Sequence, residues 1–62
     1  LIEVRMEHAK RLLRYSDLSV TEISFSVGFN DANYFSRVFK KRIGFSPLQY
    51  RASIIELNKS PL

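Results

Sequence analysis

Apolar residues recur along this chain at three- and four-residue spacing, the period of helices that each bury one face. Ile2, Met6, Ala9, Leu12 and Leu13 share one face of a first helix running roughly from Ile2 to Tyr15. Its other face carries Glu3, Arg5, Glu7, Lys10 and Arg11, and the Glu-before-base order among them supports a solvated helix. Ser16 and Asp17 end it, and Leu18 turns back toward the core. Val20, Ile23 and Val27 define a second helix, Val20 to Val27, of only about two turns, too short to stand without packing. Ser19 with Glu22 three residues later forms a capping box before it. Gly28 follows, placed for a left-handed stop. Ser24 is small enough to let this helix cross its neighbour closely.

A third helix spans about Asp31 to Ile43, with Phe35, Val38, Phe39 and Ile43 inward, Asn30 and Asp31 available as N-cap, and Gly44 as its stop. Ser46-Pro47 then supplies a cap and a proline at the first position of a fourth helix, whose inward residues are expected to be Leu48 or Tyr50, then Ile54 and Leu57. No segment alternates with the period of a strand. The pattern predicts an all-α fold, a small bundle of about four helices containing a helix-turn-helix. One domain is expected over residues 1–57, with 58–62, including Pro61, as a tail.

Composition narrows this further. A chain of 62 residues forms one domain at most, and without cysteine it has no disulfide or thiolate metal site to stiffen it. No apolar run approaches bilayer-spanning length, and nothing resembles a signal peptide. The first residue is Leu rather than Met, as in a fragment or a processed piece. The formal charge is +4, and its distribution says more than its size. From Ala32 to Ile55 the charged residues are Arg37, Lys40, Lys41, Arg42 and Arg51, with no acid among them. That segregation gives one positive region, the footprint expected of a nucleic-acid binder.

The outward face of the third helix presents Ala32, Asn33, Ser36, Arg37, Lys40 and Lys41. Asn33 suits bidentate bonding to adenine, and Arg37 suits the fork onto guanine N7 and O6. Ala32 allows close approach or contact with a thymine methyl, and Ser36 offers a hydroxyl to a base edge or phosphate. Around Asn30 and Asp31 the helix start is expected to offer backbone N–H groups to a phosphate. Lys40 and Lys41, a turn further on, are expected on phosphates, where they add affinity rather than sequence choice. These residues alone leave three readings open: a DNA reader, an RNA binder, and a helical protein–protein module whose basic face is merely solvated.

The motifs Ala9-Lys10-x-Leu12-Leu13, Leu18-Ser19-Val20-x-Glu22-Ile23, Val27-Gly28-Phe29, Tyr34-Phe35-Ser36-Arg37-x-Phe39-Lys40-Lys41, Gly44-Phe45-Ser46-Pro47 and Tyr50-Arg51 together resemble the AraC/XylS family of bacterial transcription regulators. The resemblance is collinear from Arg5 to Arg51, most of the chain. It implies the later part of a DNA-binding domain: the central helix, the second of two helix-turn-helix units, and the closing helix. The first unit would precede Leu1. It further implies double-stranded DNA as partner, base contacts from Ala32, Asn33, Ser36 and Arg37, and core roles for Phe29, Phe35 and Phe39. A parent regulator with a sensor domain, RNA polymerase as a partner, and a cytoplasmic, nucleoid-associated setting follow from the same resemblance. Two positions depart from the family pattern. Ser24 stands where Ala is common, and Phe25 occupies a position expected to be exposed.

Other chemistry finds little support. His8 has no second His or Cys and no carboxylate cluster around it, so no metal or other cofactor is expected. The acids form no catalytic pair, the serines have no His/Asp partners, and Gly28 and Gly44 are too far apart for a phosphate loop. The tyrosines Tyr15, Tyr34 and Tyr50 read as packing or boundary residues, since base-stacking platforms usually occupy sheets. No catalytic residue is assigned.

Overall fold

Several helix ends lie where a local device stops the backbone. The computed structural model describes residues 1–59, with side chains as far as Ile54. In chain order the elements are α1 (Ile2–Tyr15), α2 (Val20–Ser26), α3 (Ala32–Ile43) and α4 (Pro47–Lys59), with no strand among the described residues. The expected all-α bundle is therefore the observed one, with adjusted boundaries. Val27 is the C-cap of α2 rather than its last residue. Asp31 is the extended N-cap of α3, at φ −139° and ψ 117°, rather than its first residue. α4 runs through Lys59, two residues into the segment read as a tail, because no Gly or Pro interrupts it after Pro47.

The core gathers one face from three helices and the turn: Met6, Ala9 and Leu13 from α1, Ile23 and Val27 from α2 and its cap, Phe29 from the turn, and Phe35 and Phe39 from α3. Ile2, Leu12, Leu18, Val20, Val38, Ile43 and Tyr50 pack around it, half-buried. Phe29, Phe35, Phe39 and Tyr50 form a continuous run of rings from the turn through α3 to α4. Successive centroids stand 5.3, 5.8 and 5.6 Å apart, within the range where tilted and edge-on aromatic pairs attract. Phe35 and Phe39 are fully buried, so truncating either to Ala costs about 3–5 kcal/mol. On α4 the inward residue is Tyr50, while Leu48 is 68 % exposed, which settles the alternative between them. Ile54 is half-buried, and the side chain of Leu57 lies outside the described residues.

Arg51 departs from its expected place. The sequence counted it in the positive region, but its guanidinium turns inward and closes the C-terminus of α1. Its Nε donates to the Leu13 carbonyl at 3.1 Å and its Nη1 to that of Leu18 at 2.7 Å. Its Nη2 donates to the carbonyls of Ser16 at 3.0 Å and Leu12 at 3.4 Å. A helix C-terminus leaves carbonyls unpaired and carries partial negative charge, and one arginine answers both needs. Arg51 is thus a structural cation that ties α4 to α1.

Candidate nucleic-acid interface

The α2–turn–α3 unit is fixed by four local devices. The Ser19 Oγ accepts from the Glu22 N–H at 3.1 Å, and the Glu22 carboxylate accepts from the Ser19 N–H at 2.9 Å, a complete capping box. Ser24 is fully buried at the helix crossing, and its hydroxyl donates to the Thr21 carbonyl at 2.7 Å, so the polar atom costs little there. At the end of α2, Phe29 N–H donates to the Ser24 carbonyl at 2.9 Å and Gly28 N–H to that of Phe25 at 3.1 Å. This pair of bonds is a Schellman motif, and it needs the φ of +103° that Gly28 adopts. The Asp31 carboxylate then caps α3, accepting from the N–H groups of Asn33 at 2.8 Å and Tyr34 at 3.4 Å.

That last contact bears on the phosphate site expected at the helix start. Two of the backbone N–H groups at the helix start, those of Asn33 and Tyr34, are held by the Asp31 carboxylate itself. Asp31 is accounted for as a helix cap. Asn30 is exposed beside it.

On α3 the buried Phe35 and Phe39 point into the core, and Asn33, Arg37, Lys40 and Lys41 are exposed on the other side. Ala32 and Ser36 are half-buried along one flank of that surface. The four residues assigned to bases thus divide into two that stand free and two that sit lower. The helix itself has no acidic residue, so apart from its Asp31 cap the surface is cationic or neutral. Arg42, the other base on α3, turns aside to pair with Glu3 of α1 at 2.8 Å. The Glu3 carboxyl is held below its usual range, first by the bond from its own backbone N–H at the start of α1, then by the Arg42 guanidinium.

Two further residues lie at this surface. Tyr34, on the first turn of α3, is 55 % exposed with its ring 5.8 Å from that of Phe29. Arg5, from α1, donates to the Gly28 carbonyl at 3.3 Å and lies over the Phe29 ring, 5.5 Å from its centroid. The sequence placed Tyr34 among the packing or boundary residues. Nothing in the local sequence signals the Arg5 contact, which joins residues 23 apart. Phe25 is 55 % exposed, as expected for its position. His8 is exposed on α1.

A short capped helix, a glycine turn and a second helix with a cationic outer face define a helix-turn-helix domain, and residues 1–53 match the helix-turn-helix domain family. The chain belongs to that family in its AraC/XylS form, the group of transcription regulators that its motifs resemble. It is 49 % identical to the HTH-type transcriptional activator RhaS of Escherichia fergusonii, and 51 % identical to the HTH-type transcriptional activator RhaR of Salmonella heidelberg. Each match covers 82 % of this chain and 18 % of the relative. An uncharacterized HTH-type transcriptional regulator of Pseudoalteromonas carrageenovora is 51 % identical over 82 % of this chain and 30 % of its own length. Among solved structures, the C-terminal domain of the two-component response regulator yesN from Fusobacterium nucleatum superposes with a TM-score of 0.80 at 48 % identity, over 81 % of this chain and 48 % of that one. The chain therefore spans less than a third of the length of these curated relatives.

Proposed function

We propose that this chain reads double-stranded DNA by inserting α3 into a major groove, as the second reading unit of a bacterial regulator. The observation that carries this is the arrangement of α3: Phe35 and Phe39 inward, Asn33, Arg37, Lys40 and Lys41 outward, and no acid on the helix. Asn33 and Arg37 are the direct readers, with amide and guanidinium groups suited to adenine and guanine edges. Ala32 and Ser36, set lower on the flank, define how closely the helix approaches and supply a small polar contact. Lys40, Lys41 and Asn30 bond phosphates and fix the register. The chain carries out no chemistry of its own. A preceding unit of the same kind would read an adjacent groove, and polymerase recruitment in the cytoplasm would belong to the whole regulator, as the activator names of the relatives suggest.

The test is a duplex enriched from a random pool by the wild-type chain, compared with unselected duplex across a range of salt. Arg37→Ala should lose about 1–3 kcal/mol on the enriched duplex and much less on the unselected one. Lys40→Ala should weaken both alike and reduce the salt slope by about one, since each phosphate contact releases a counterion. Equal losses on both duplexes for Arg37→Ala would remove it from the readers. RNA competing better than duplex DNA would reassign the surface. A folded chain that binds no nucleic acid at low salt would favour a protein-docking role centred on the exposed Phe25.

A further inference from the structure

We propose that Arg5 of α1 is a positioning residue for the reading helix: it braces the turn and thereby sets the angle at which α3 meets DNA. This rests on the reading of α3 given above. Among the described residues the Arg5 guanidinium makes one hydrogen bond and one cation–π contact, both with the turn. It donates to the Gly28 carbonyl at 3.3 Å and covers the Phe29 ring with its carbon 5.5 Å from the centroid. It stands so close to the turn that a Cβ added at Gly28 would lie 3.1 Å from its Cζ. Phe29 in turn lies against the first turn of α3, 5.8 Å from Tyr34 and 5.3 Å from Phe35, ring centre to ring centre. Arg5 is thus one end of a short physical path whose other end is the N-terminal turn of the reading helix. Among the described residues no other side chain donates to a carbonyl of residues 28–31.

The consequence follows from the length of α3. Its N-terminus is the pivot, and each residue rises about 1.5 Å, so a tilt of about 10° shifts Arg37 by about 1 Å and Lys41 by about 2 Å. Hydrogen bonds to base edges tolerate only a few tenths of an ångström, whereas a flexible lysine follows a phosphate over more than that. Loosening the brace should therefore erase sequence preference before it erases affinity. A guanidinium is needed for this, because its flat face stacks while its edge donates. An ammonium does not do both at once.

The experiment compares Arg5→Met and Arg5→Lys in the full chain, well below their unfolding midpoints. Both should lower the preference for the enriched over the unselected duplex by about five- to tenfold, the size of one good base contact, with the salt slope unchanged. Full preference retained by Arg5→Lys, or a fall in the salt slope, would overturn the proposal and make Arg5 a phosphate contact. Equal losses on both duplexes would also overturn it. The second readout needs no DNA: amide exchange at Asn33, Tyr34 and Phe35 should quicken in Arg5→Met relative to amides of α1. Unchanged exchange there would overturn the brace. If the wild-type chain enriches no duplex at all, the DNA reading fails by itself, and the exchange measurement alone decides the role of Arg5.

Discussion

Two glycines stop two helices in this molecule with nearly the same backbone, and their surroundings differ completely. Gly28 closes α2 at φ +103° and Gly44 closes α3 at φ +100°. A side-chain carbon at Gly28 would meet the Arg5 guanidinium at 3.1 Å, while one at Gly44 would meet nothing within 4 Å. Gly44 only ends a helix and lets the chain turn toward α4. Gly28 also admits a side chain from another helix against the turn. The same residue in the same conformation therefore serves two purposes, and the difference lies in what approaches from outside.

Substitution at both positions separates these purposes. Gly28→Ala should cost about 2–3 kcal/mol: about 1–2 for a left-handed alanine and about 1 more for displacing the Arg5 contacts. Gly44→Ala should cost only the backbone part, about 1–2 kcal/mol. Urea midpoints of the two variants measure the difference directly. In an Arg5→Ala background the two costs should converge, and a gap that persists would show that crowding by Arg5 is not its cause.

The two helix starts beyond these turns extend the comparison. α3 is capped by the Asp31 carboxylate alone, whereas α4 has a reciprocal box in which Gln49 N–H donates to the Ser46 hydroxyl at 3.2 Å and Ser46 N–H to the Gln49 side chain at 3.0 Å. Asp31→Ala and Ser46→Ala should each cost about 1 kcal/mol of stability. Their effects on DNA should diverge. Asp31→Ala removes a negative charge from the start of the reading helix and should raise affinity for any duplex, whereas Ser46→Ala should leave it unchanged. A fall in affinity for Asp31→Ala would place Asp31 in the interface.

The smallest effect belongs to Glu3, the partner that turns Arg42 away from the outer face of α3. Its folded-state carboxyl titrates below the ordinary value of 4.5, so its contribution to stability is present above that pH and is lost as pH falls through the lower folded value. The side chain is largely exposed, so the contribution is slight. Thermal midpoints of the wild type and Glu3→Gln should differ slightly near neutral pH and converge below 4.5. A constant gap would assign the difference to something other than this ionisation.

What the sequence made legible was local. Ser19 with Glu22, Gly28, Gly44 and Ser46-Pro47 mark helix ends by interactions within a few residues, and all four behave in the structure as their chemistry requires. Phe35 and Phe39 were legible because two large apolar residues four apart on a helix share a face. The cations were harder. Arg5, Arg42 and Arg51 each find a partner 23 or more residues away, and a charge pattern along the chain carries no information about such pairings. Asp31 was ambiguous for a different reason. One carboxylate at a helix start fits both a cap and a neighbour of a bound phosphate, and the bonds from the Asn33 and Tyr34 N–H groups show the cap.

The inward turn of Arg51 has a consequence for how this reader can be moved between proteins. The stretch from Ser19 to Arg42 holds every residue assigned to bases, and it looks like a cassette. Yet α3 leans on Tyr50 through Phe39, the turn touches Arg5, and the end of the α1 that carries Arg5 is tied to α4 by Arg51. A graft of the helix pair alone would carry the letters and lose the alignment that makes them readable. The smallest transplantable piece runs from α1 into α4, almost the whole of the chain.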